Sequence, residues 1–91
     1  MSDHEREGRE LRSYDDLGSY PNPGDRAVVV RLGSEAGLLV EESALRSRQM
    51  GAIGTVLSWI PGHGGDAWWL RHDDGGVGAY LVNEIGPLDE S

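Results

Sequence analysis

Residues 58–76, SWIPGHGGDAWWLRHDDGG, hold all three tryptophans and two of the three histidines of the chain. His63, Asp66, His72, Asp73 and Asp74 are the residue types that bind metals, but a zinc site needs three or four ligands converging at about 2 Å from recurrent spacings, and no such spacing occurs here. His63 falls in a glycine-rich turn and His72 at a strand end, and both read as solvent-facing. Asp73 and Asp74 are neighbours in a turn, where their carboxylates diverge rather than share a proton. Ser34, Ser43, Ser47 and Ser58 lack the strand–turn–helix setting of a nucleophile elbow. GHGG has neither the lysine nor the following helix of a phosphate loop. These residues therefore predict no metal, no cofactor and no catalysis.

The tryptophans point elsewhere. Along a strand, neighbouring side chains alternate between faces, so Trp68 and Trp69 cannot both face one core without a twist or bulge. Leu70 shares a face with Trp68, while Ala67 and Arg71 share one with Trp69, which predicts Trp68 inward and Trp69 outward. An outward Trp69 beside Trp59 and Tyr80 on adjacent strands would form an aromatic anchor for a protein partner. Arg71, Leu38 and Leu39 complete the expected binding set.

What positions these residues must be small. Ninety-one residues allow one domain, and chains of this size bury only about 60–65% of their unfolded surface. There is no cysteine for a disulfide or thiolate site,. Sixteen acidic against eight basic residues give a formal charge of −8, and every basic residue is arginine. That balance opposes binding to phosphate backbones and favours a partner with a basic patch, speeding encounter more than strengthening the complex. The opening stretch MSDHEREGRELRSYDD lacks the apolar core of a secretory signal, and no apolar run reaches the ~18 residues of a membrane span. A cytoplasmic protein that does not engage membranes is expected.

Residues 1–20 contain Leu11, Tyr14, Leu17 and Tyr20 among charges, too few apolar groups to offset ordering entropy. They read as a flexible tail, with a capping-box spacing at Ser2 and Glu5 that would suit a transient helix. PNPGD at 21–25 is turn chemistry and opens a domain over 21–91. RAVVVRL, 26–32, is a first strand too continuous to show whether Ala27 and Val29 or Val28 and Val30 face inward. The long connection 33–50 follows, with a short helix expected in EESALRSR supported by a Glu42–Arg46 pair. AIGTVLSWI, 52–60, is a second strand in which Gly54 marks a bulge or a close backbone approach. AWWLRH, 67–72, returns; DDGG predicts a type I′ turn; VGAYL, 77–81, and VNEIGPL supply the last two strands. Five short strands with one long loop after the first imply an all-β barrel.

The order of PGDRAVVV, GAIGTVLSW and WWLRHDDGGVGAYLVNEI resembles the SH3-like barrels, over roughly residues 23–88. The likeness is greatest to the small barrel protein of photosystem I, the variable chain of ferredoxin–thioredoxin reductase and the barrel of nitrile hydratase beta subunits; GAIGTV also resembles a KOW element. The resemblance implies a five-stranded barrel acting as an accessory subunit or protein-interaction module. A KOW-like nucleic-acid or ribosome-associated factor is the alternative it suggests, and a small ligand-binding or enzymatic barrel is the third.

Overall fold

The structure, a computed structural model, describes residues 12–33 and 38–88. Five strands make one antiparallel sheet: β1 (Arg26–Val29), β2 (Ile53–Trp59), β3 (Ala67–His72), β4 (Val77–Leu81) and β5 (Ile85–Pro87), in the order β4-β3-β2-β1-β5. One short helix, α1 (Glu42–Arg46), lies in the long connection between β1 and β2. The protein is thus all-β, with a barrel-like curl built from short, tightly connected strands.

The alternation left open for the first strand resolves with Ala27 and Val29 in the main core, beside Val56, Trp68, Leu70, Tyr80, Val82 and Ile85. Val28 is buried as well, on the other side of β1. Gly54 is the close approach expected of it: a Cβ there would lie 2.1 Å from the Arg71 carbonyl oxygen, so any side chain would force β2 and β3 apart. The bulge falls further along. Val56 pairs with Leu70 but Trp59 with Trp68, so Leu57 and Ser58 together oppose Trp69. An extra residue of this kind bends the strand and raises its twist.

The β3–β4 turn departs from the type I′ geometry expected of Asp-Gly. Among the described residues none other than glycine has a positive φ, and within the turn only Gly75 does, at 105°. The Gly75 N–H donates to the His72 carbonyl at 2.9 Å. Asp73 and Asp74 therefore make an ordinary turn, and Gly75 alone supplies the left-handed step that returns the chain to β4.

The packed chain also reaches back before residue 21. Tyr14 is 5% exposed within the main core, and its N–H donates to the Ile85 carbonyl at 2.9 Å. Ser13 and Asp16 cap one another: the Asp16 N–H donates to the Ser13 hydroxyl at 3.0 Å and the Ser13 N–H to the Asp16 carboxylate at 3.1 Å. Gly86 admits this segment because a Cβ there would lie 1.8 Å from the Arg12 carbonyl oxygen. One tyrosine and one missing side chain dock residues that composition assigned to a tail. The expected Ser2–Glu5 cap lies outside the described residues.

A second apolar cluster covers the opposite face of β3 and β4. Leu38, Ala44, Ile60, Ala67 and Ala79 are buried there, with Val40, Leu45, Trp69 and Leu81 packed around them. The helix of the long connection thus lies against the outside of the sheet, presenting Ala44 inward, and its Glu42–Arg46 pair is exposed at 3.0 Å.

Candidate functional site

The alternation of β3 sends its two tryptophans to opposite sides. Trp68 is buried in the main core, and its indole N–H donates to the Gly65 carbonyl at 2.9 Å. Trp69 faces outward, half-covered, against Ala79 across the strand pair and the second apolar cluster. Its neighbour on the other side is the Leu57–Ser58 bulge. Leu38, Leu39, Val40, Glu41 and Trp69 line an open concavity of about 750 Å³. Leu39 is 74% exposed at its rim.

His63 holds this rim in place. Its Nε2 accepts from the Leu39 N–H at 3.0 Å, and its Nδ1 lies 3.2 Å from the Pro61 carbonyl oxygen. A histidine assigned to solvent from its glycine-rich surroundings instead ties the 61–66 turn to the long connection, because Gly62, Gly64 and Gly65 take positive φ values and fold the turn back.

Further along the outward face, register aligns Arg26, Thr55, Arg71 and Val77 in one row across β1 to β4. Arg26 is already engaged, with its guanidinium donating to both carboxylate oxygens of Asp73 at 2.8 and 2.7 Å. The Arg26 hydrogen bonds and charge hold the Asp73 carboxyl below its ordinary range. Arg71 is exposed on this row. Leu57 and Ile53, each 38% exposed, add apolar surface on β2, and Trp59 is 51% exposed beyond the bulge.

Of the expected binding set, Trp69, Arg71 and Leu39 share this outward side, and Trp59 is exposed at the end of β2. Leu38 does not belong to the open surface. It is 7% exposed, forming the floor beneath Leu39. Tyr80 belongs to the other face altogether, fully buried in the main core. Register explains it: Tyr80 pairs with Trp68, the inward tryptophan, and paired residues share a face,.

Tyr80 instead centres a buried polar network that no local sequence pattern announces. Its hydroxyl accepts from the Gln49 N–H at 2.8 Å and lies 2.8 Å from His72 Nε2. Donation of the hydroxyl proton to Nε2 leaves the imidazole proton on Nδ1, which is buried and has no hydrogen-bond partner among the described residues, whereas the opposite tautomer has Nε2 donate to the hydroxyl,. His72, expected in solvent, is 4% exposed. Burial is the main force raising the Tyr80 pKa. Arg48 stacks over the Tyr80 ring at 5.6 Å and pairs with buried Glu84. Glu84 also accepts from the Gly33 N–H at 2.7 Å and the Leu81 N–H at 3.0 Å. The glutamate of a closing turn and the arginine after a helix carry no sequence signal of meeting, since thirty-six positions separate them.

Among the described residues, no group of three or more histidine, cysteine, aspartate or glutamate side chains could hold a metal ion. No helix there is long and apolar enough to cross a membrane. His72, Asp73 and Asp74 border a separate hollow of about 310 Å³ with Gln49, Gly51, Ala52 and Ile53. The Nε2 of this histidine is hydrogen-bonded to the Tyr80 hydroxyl.

No family model, characterised protein or solved structure matches this chain. Its surface chemistry is what bears on function.

Proposed function

We propose that this chain is an SH3-like barrel acting as a non-catalytic protein-interaction module or small accessory subunit, binding its partner through Trp59 at the end of β2, the outward face of β2 and β3 and the rim of the long connection. The strand order β4-β3-β2-β1-β5, with the one long connection after β1, supports the SH3-like reading. The observation that carries the binding role is the half-exposed Trp59. A large aromatic side chain in a domain with so little apolar material would stabilise the fold by burial, and its exposure is the expected arrangement of an interface anchor. Leu57 and Leu39 are further exposed apolar side chains, and the acid excess of the chain favours a basic partner,.

The test is affinity capture from native extract with the wild-type chain and Trp59→Ala, followed by titration of the purified partner. The variant is expected to keep its melting temperature, since little buried surface is lost, yet weaken the complex by about 2 kcal/mol or more. Equal affinity of both chains for every captured partner would end this reading.

A further inference from the structure

The concavity beside Trp69 has a composition more specific than an apolar groove. It is lined by Trp69, by the aliphatic side chains of buried Leu38, exposed Leu39 and half-buried Val40, and by Glu41. Glu41 is exposed and, among the described residues, has no ion-pair partner, whereas the adjacent Glu42 is neutralised by Arg46. We infer that this concavity receives the cationic side chain of an arginine or lysine presented by the protein partner.

Three features converge on that occupant. An aromatic face attracts a cation through its ring quadrupole, most strongly for tryptophan and where water is partly excluded. The aliphatic stems of arginine and lysine match walls of leucine and valine, so the same pocket accepts both the apolar and the charged part of the side chain. Glu41 then supplies the counter-charge at the rim, within a chain whose sixteen acids outnumber its eight bases. An anionic ligand would meet the carboxylate, and a second copy of this chain would bring another −8 charge to the contact,.

Two cations share this face, Arg26, which is held by Asp73, and Arg71. Arg71 stands two residues from Trp69 toward the β3–β4 turn, whereas Leu39 is tied to His63 at the opposite end of β3. At roughly 3.3 Å per residue Arg71 stands about 7 Å along the strand from Trp69, away from the end of β3 to which Leu39 is tied,.

This inference rests on the proposed interaction role and narrows its partner. The experiment uses the uniformly ¹⁵N-labelled chain and three blocked pentapeptides: acetyl-Gly-Arg-Gly-Arg-Gly-amide, its lysine counterpart, and the same peptide with citrulline for arginine. Citrulline keeps the shape of arginine and removes its charge. The arginine and lysine peptides are expected to shift the Trp69 indole N–H and the Leu39 and Glu41 amides saturably. Citrulline should bind at least about fivefold more weakly, since the cation–π attraction is lost. Glu41→Gln should weaken the arginine peptide about threefold, the range of an exposed charge pair, with an unchanged thermal melt. Equal binding of the citrulline peptide, an unchanged Kd for Glu41→Gln, shifts confined to Trp59 and Leu57, or no binding would each overturn the assignment. Shifts that follow protein rather than peptide concentration would overturn it in favour of self-association. The interaction role itself stands or falls separately, on Trp59→Ala.

Discussion

Glu84 and Arg48 form an ion pair sealed inside the protein, with side chains 1% and 3% exposed. The same carboxylate fastens the Gly33 and Leu81 amides, and the Glu84 carbonyl accepts from the Val30 and Arg31 N–H groups at 2.8 and 3.3 Å. One residue thus closes both ends of the long connection onto the turn before β5. Burying two charges costs several kcal/mol that their attraction repays only in good geometry, and removing one partner strands the other.

Glu84→Gln should therefore destabilise the chain by about 3–5 kcal/mol, because Arg48 keeps its charge without compensation. Arg48→Met combined with Glu84→Gln should cost less than the two single changes added together, as expected for directly coupled residues. Urea denaturation of the three variants measures both. Simple additivity would mean that the pair is not coupled in the folded state.

The Tyr80 hydroxyl joins His72 to Gln49. Tyr80→Phe keeps the ring and its packing but leaves the Gln49 N–H and the buried His72 Nε2 without this partner. The expected cost is about 1–3 kcal/mol for each group that water cannot reach. In the wild type, long-range ¹H–¹⁵N spectra of the imidazole read the direction of the network: the proton of His72 on Nδ1 means that the hydroxyl donates, and the proton on Nε2 that the imidazole does.

How far this architecture was legible in the sequence differs between backbone and side chains. The strands at 67–72 and 77–81 and the helix in the long connection follow from local patterns, and each is realised because turn residues and alternation act over a few positions. Gly54 and Gly86 illustrate the limit. A glycine in a strand announces that something comes close, but only the fold shows that it is Arg71 in one case and Arg12 in the other. His72, Tyr80, Arg48 and Glu84 meet through pairings distant in sequence, so their polarity suggested a surface while their contacts make them interior. At the candidate surface, alternation separated Trp68 from Trp69 correctly. It could not show that the long connection would cross the outer sheet face and cover half of Trp69.

Tyr14 gives the docked N-terminal segment a pH signature. Burial, reinforced by the charge of Asp25 and the hydrogen bond to it, raises its pKa from 10.0 to about 12. A raised phenol pKa means that the fold favours the neutral form, so this contribution is complete below pH ~10 and is lost as pH rises toward about 12,. Wild-type stability should fall across that window, and Tyr14→Phe should fall less steeply while Tyr80 continues to contribute in the same direction. Urea midpoints measured from pH ~9 to pH ~12 test this. Parallel profiles for the two chains would show that Tyr14 is solvated rather than docked.

The adjacent tryptophans provide the sharpest comparison of the two apolar clusters. Trp68→Ala removes an 8% exposed side chain from the main core together with its hydrogen bond to Gly65. The resulting cavity should cost about 3–5 kcal/mol, enough to unfold a domain of marginal stability. Trp69→Ala removes a half-covered side chain whose inner edge meets Ala79 and the residues around α1. Only the covered part of its area returns to water, and the open concavity leaves no sealed void, so about 1–2 kcal/mol is expected. Denaturant melts of both variants, with Trp59→Ala as the exposed reference, should rank the costs Trp68 above Trp69 above Trp59. A loss for Trp69→Ala as large as that for Trp68→Ala would mean that the second cluster is as essential to folding as the first. The outward face of β3 would then serve chiefly to seat the helix rather than to meet a partner.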